Sequence, residues 1–219
     1  PRVPHSACMF RHLDEAAAQA RQLAATRSAA FGGVFRRRDL HDWGIDDSLL
    51  QAMFRRGDWV RLRHGVYADS SVAHSVEPVV RHRLDLAAAI AATDEPTFAV
   101  GPSAAVVHGL PLPYAVPDAV HIVRDSRQDL RSLRRVSRHP LTIPTMHVTS
   151  HDGVAATGQR VEGIATVPVS VAAVTSAPHF GFTRKVGLFD AVLWRSDVTT
   201  DDIRASLDEW PKLRDRASS

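Results

Sequence analysis

The sequence predicts an α+β fold, with a winged helix-turn-helix over residues 10–69 and a mixed α+β domain over 78–210. Two observations predict it. Between residues 36 and 67, two segments of helical periodicity are separated by a glycine and followed at once by two β-rich runs that flank a basic turn. Beyond residue 119, short β-like runs give way to small-residue helical segments, as in a domain that packs helices on a sheet.

The elements follow in order. Residues 13–26 are alanine-rich, with Leu13, Ala16, Ala20 and Leu23 at helical spacing and Asp14 and Glu15 where a first turn favours negative charge. Residues 36–43 form a short second helix that carries Leu40 and Trp43 and ends at Gly44, with Ile45 seeding the turn that follows. Asp46 or Asp47 caps the third helix, Leu49, Leu50, Met53 and Phe54 supply its apolar stripe, and Gly57 closes it. That helix has the length and place of a recognition helix. Residues 59–62 and 65–67 then make a hairpin around Arg63 and His64, the wing.

The polar run 69–78 reads as a linker, and the amphipathic helix 79–93, with Val80, Leu84, Ala87 and Ile90 on its apolar face, opens the second domain. Pro102 and Ser103 precede a helix over 104–108 that stops at Gly109, with Ser103 as its cap, and the proline-punctuated stretch 110–117 turns the chain. Strand-like runs follow at 120–123, 141–143, 146–148 and 161–167. A small-residue helix over 168–177 is interrupted at Pro178 and resumes over 182–194, after which Thr200 caps a last helix over 201–209.

Composition excludes several functions. Cys8 is the sole cysteine, so no intrachain disulfide forms and a cytoplasmic setting is expected; the longest apolar stretch, near 86–92, is too short to span a bilayer. No Walker-type or dinucleotide-binding glycine loop is present, and His147 and His151, four apart, have no cysteine or acidic partner that fixes a site, so neither cofactor nor metal is expected. A hydrolase pair of Ser103 and His108 is disfavoured by its five-residue offset on one helix and by the lack of a third, orienting group. All but two of the 27 basic residues are arginine, the exceptions being Lys185 and Lys212, and arginine makes forked contacts with phosphate and guanine. Charge is uneven: residues 31–68 carry seven arginines against five aspartates, residues 69–100 are net acidic, and Arg131, Arg134, Arg135 and Arg138 form a second basic patch.

The run from Phe31 through "GVF…DL…WGI…L…RRGDWVRLRHGVYA", followed by "SAAVVHGLPLP" at 103–113, resembles AbiEi-type antitoxins of type IV toxin-antitoxin systems, particularly the actinobacterial winged-helix group. The resemblance covers 31–113 well and continues more weakly to about residue 209. It implies a repressor that binds double-stranded DNA at its own promoter, paired with a nucleotidyltransferase-type toxin through a functional rather than a necessarily direct link. Longer members carry a further endonuclease-like domain, implied to begin near residue 219, so the nuclease reading has no residues to rest on here.

The candidate contacts divide by chemistry. Arg36, Arg37, Arg38 and Arg56 on the helices, and Arg61, Arg63 and His64 on the wing, are the groups expected to neutralise phosphate. Ser48, Gln51 and Arg55 point away from the apolar stripe and are the expected base-edge contacts. Asp46 and Asp47 work against them by placing negative charge at the helix end that approaches DNA. Trp59 and Tyr67 are expected in the core beneath the wing rather than as stacking platforms. The competing classes are a protein-interaction module acting through 131–138 and a truncated nuclease-like defence protein.

Overall fold

The computed structural model describes residues 5–75, 77–94, 96–112, 116–117, 119–124, 159–195 and 197–209. The chain opens with α1 (His5–Ser28), β1 (Val34–Arg36), α2 (Arg37–Asp42) and α3 (Asp47–Arg56), then the hairpin β2 (Trp59–Arg63) and β3 (Val66–Asp69). The strands form an antiparallel sheet in the order β1-β3-β2, with Phe35 opposite Tyr67 and Val60 opposite Ala68. Three helices and a three-stranded sheet in this order are a winged helix-turn-helix.

Strand alternation gives that sheet two apolar faces. Phe35, Trp59 and Tyr67 point to the helices, where Ala17, Ala20, Ala24, Leu40, Ile45, Leu50 and Met53 meet them. Phe35 sits at the centre, 4.9 Å edge-on from the Trp59 ring and 6.2 Å from both Trp43 and Tyr67. Val34, Leu62, Val66 and Ala68 point the other way and join the core of the rest of the molecule.

What covers that second face is α5 (Pro78–Ala91), which packs on β1, β2 and β3 and also on β4 (Thr97–Ala99) and β7 (Ile164–Thr166). Contact on several sides explains why burial runs through 84–89 instead of following a single stripe, and why His82 and Asp85 are buried as well. The expected linker contains a one-turn helix, α4 (Ser70–Ala73), tied down by buried Ala73 and capped by the Asp69 carboxylate on the Ser71 amide.

The second sheet has the order β5-β4-β7-β6, with β5 (Ile122–Arg124) and β6 (Gln159–Val161) at its edges and a parallel β4–β7 pair at its centre. The single β-like run expected over 161–167 is a turn and a strand, because Glu162 and Gly163 both have positive φ and close a tight β6–β7 hairpin. Gly163 is wedged against the winged helix: a β-carbon there would lie 2.5 Å from both the Ala29 carbonyl oxygen and the Gly32 nitrogen. An ion pair between Arg83 and Glu162 at 2.5 Å fastens the same turn to α5.

Helices α6 (Gly101–Val107) and α7 (Val169–Ser176) are buried along their whole length, which their alanines permit by letting the backbones approach. Ser103 lies inside α6 and does not cap it: its hydroxyl accepts from the His121 amide at 2.8 Å and meets His82 Nε2 at 3.0 Å. Burial holds the His82 imidazole down to about 4, against the opposing effect of a hydrogen bond to the Pro117 carbonyl. A neutral ring that donates to Pro117 and accepts from Ser103 satisfies both nitrogens. The chain ends its described part with α8 (Phe182–Leu193) and α9 (Thr200–Glu209). Thr199, one residue before the expected cap, holds the start of α9 through reciprocal bonds with Asp202. The runs expected at 141–143 and 146–148 lie outside the described residues.

Candidate nucleic-acid interface

The site is built on α3. Asp46 caps it by accepting from the Leu49 amide at 2.8 Å, and Leu50 and Met53 anchor it to the aromatic core. Ser48, Gln51, Phe54 and Arg55 are thereby left on the outer side. The wing turn is held close, since the Arg37 amide at the start of α2 donates to the Gly65 carbonyl at 3.0 Å.

Of the expected contacts, Gln51, Arg55, Arg61 and His64 are exposed and make no hydrogen bond or ion pair among the described residues. Ser48 is also exposed, but its hydroxyl donates to the Asp46 carboxylate at 2.6 Å as part of the cap.

The three arginines entering α2 are all paired. Arg36 closes a capping box with Asp39, its Nη2 and its backbone nitrogen each 2.8 Å from that carboxylate. Arg37 grips Asp47 through both its Nε and its Nη2, and His41 reaches the same carboxylate at 3.1 Å. These bonds, Arg37 first and His41 second, pull the Asp47 carboxyl down to about 2. Arg38 pairs with Asp94 at 3.2 Å, where both groups are largely in solvent. The negative charge at the recognition-helix end is therefore met on the spot by α2.

Two expected contacts are turned elsewhere. Arg56 leaves the outer side of α3 and bridges Asp14 on α1 at 2.7 Å and Asp58 at 3.1 Å, fixing α3 to α1. Arg63 does not extend from the wing tip. A bulge between Arg61 and Arg63 shifts the register, so that Arg63 sits opposite Val66 and faces α5. Its Nε and Nη2 are buried without a hydrogen-bond partner among the described residues, and burial lowers its pKa while nearby Asp85 raises it. Burial in turn raises Asp85, against the attraction of Arg63 and Arg81.

The sequence reading missed Phe54. It belongs by period to the apolar stripe, yet it is 44 % exposed and outside every core cluster. Trp59 and Tyr67 are core residues as expected, Trp59 being only 1 % exposed. Arg131, Arg134, Arg135 and Arg138 lie outside the described residues. No group of three or more metal-binding side chains occurs among the described residues, and no described helix is long and apolar enough to cross a membrane.

Fold and site together define a winged-helix module with a part-basic outer face. Residues 24–68 match the family model described as "Transcriptional regulator, AbiEi antitoxin", so this segment is similar to the winged helix of that family. Among solved structures, the chain is similar to the RV2827C protein from Mycobacterium tuberculosis, with 18% identity, a TM-score of 0.48 and coverage of 84% of this chain and 71% of that one. No curated protein matches.

Proposed function

We propose that the protein is a non-enzymatic repressor that binds double-stranded DNA at its own promoter and acts as the antitoxin of a toxin-antitoxin pair, the toxin being of nucleotidyltransferase type. In this reading residues 10–69 carry duplex binding and 78–210 form the antitoxin-like part. The observation that carries it is that Gln51 and Arg55 on α3 and Arg61 and His64 on the wing are all exposed and have no side-chain partner among the described residues. The two arginines can release counterions from DNA, and the glutamine amide has the two-pronged geometry that adenine offers in the major groove. Arg37 and Arg38 add phosphate contacts when phosphate displaces Asp47 and Asp94. The cytoplasm is the compartment this role requires.

A mobility-shift assay on the DNA upstream of the gene, against a shuffled duplex of equal length, tests the reading. Preferential retardation of the upstream fragment supports it, and equal retardation or none contradicts autoregulation. A second reading, a protein-docking role, has its own observation: Phe182 is 81% and Trp194 91% exposed on and just after α8.

A further inference from the structure

We infer that Phe54 is a base-reading residue, laying its ring against the C5-methyl group of a thymine, so that the recognition helix selects duplexes with thymine at a fixed position. The inference rests on the DNA-binding reading above and adds to it the base that is read.

Three observations carry it. Gln51, Phe54 and Arg55 stand at the i, i+3 and i+4 positions of one helix, so they share one patch of its surface. Phe54 is 44% exposed although buried Leu50 and Met53 lie within one turn of it, and no core cluster includes it. The patch is continuous with Arg55, which has no partner among the described residues and whose charge suits a polyanion and not an apolar protein partner. A helix lying in the major groove meets hydrogen-bonding edges at every base and an apolar group at only one, the methyl of thymine. An exposed ring on that patch therefore has one matching feature to meet, while Gln51 beside it suits the adenine of a neighbouring pair.

The test uses the full chain and duplexes it enriches from a randomised pool, each then made in two forms, with thymine and with uracil throughout. Uracil keeps every hydrogen-bonding group and lacks only the methyl. The wild type should bind the thymine form about fourfold or more tightly, as expected for burying one methyl. Phe54→Ala and the polar helix-former Phe54→Gln should bind both forms equally, and Phe54→Leu should retain part of the preference. Equal binding of the two forms by the wild type, or a preference that survives in both Phe54→Ala and Phe54→Gln, overturns the role of Phe54 and leaves DNA binding standing. Failure to bind any duplex overturns the DNA-binding reading and this inference together.

Discussion

Arg37 and Asp47 face each other across the helix-turn-helix, the guanidinium Nε 2.8 Å from one carboxylate oxygen and Nη2 on the other. One residue begins α2 and the other begins α3, so the pair links the two helices and offsets a charge that would otherwise repel phosphate. On the DNA-binding reading proposed above, it also occupies an arginine that would otherwise meet a phosphate.

Replacing Asp47 with Asn should release Arg37 and His41. Helix α3 keeps its cap, because Asp46 supplies it. Duplex affinity should rise by roughly tenfold, and the slope of log K against log salt should steepen by about one, as for one added phosphate contact. Fluorescence anisotropy across a salt series measures both, and weaker binding by the variant would show that the pair is needed to shape the site.

Arg63 should behave as a structural residue despite its place in the wing. With its guanidinium buried beside Asp85, Arg63→Met should cost roughly 1–3 kcal/mol of stability in chemical denaturation. It should leave the salt slope of DNA binding unchanged. Adding Asp85→Asn should recover part of that stability by removing a buried carboxylate that would then have Arg81 alone as its nearby cation. A reduced salt slope with unchanged stability would instead place Arg63 on phosphate.

His82 gives the fold an acid limit. Its folded pKa is depressed to about 4 from 6.5, so the unfolded chain binds the proton more readily. The stability it contributes is fully present above pH 6.5 and is lost as pH falls toward 4, a change of about 3 kcal/mol. His82→Gln cannot titrate, so the stability difference between the two proteins should narrow by about that amount over this interval. Denaturation series at several pH values measure it, and a constant difference would refute the assignment.

Gly163 and Gly44 separate two costs of adding one methyl group. Both have positive φ, near 80°, but a β-carbon at Gly44 meets nothing within 4 Å whereas at Gly163 it strikes backbone of the Ala29–Gly32 segment. Gly44→Ala should cost about 1 kcal/mol, the left-handed strain alone. Gly163→Ala should cost at least about 2 kcal/mol more, because the hairpin must lift off the winged helix. Similar melting temperatures for the two variants would mean that the hairpin yields easily.

Much of the winged helix is legible in the sequence because its signals are local. The acid before α3, the apolar spacing within it, Gly44 and Gly57 at the helix ends and the β-rich runs around His64 each act within a few residues. Which arginines remain free is a question of distant partners. Arg56 meets Asp14 and Arg38 meets Asp94, pairings that exist only once the helices are placed. Arg63 is turned by a bulge that no residue in the run announces. Phe54 fits the apolar period and is exposed nonetheless, because a ten-residue helix resting on one small core has room to bury only part of its stripe. Asp85 breaks the polar pattern of α5 for the converse reason: with sheets on two sides, little of the middle of that helix is left for water.

If the outer face of α3 and the wing binds duplex DNA through Arg55 and Arg61, the salt dependence of binding reports it. Wild type and an Arg55→Ala/Arg61→Ala double variant should be titrated with the upstream duplex at a series of salt concentrations. The double variant should bind more weakly, with a slope of log K against log salt shallower by about two, near 0.9 for each phosphate no longer neutralised. An unchanged slope with unchanged affinity would contradict it.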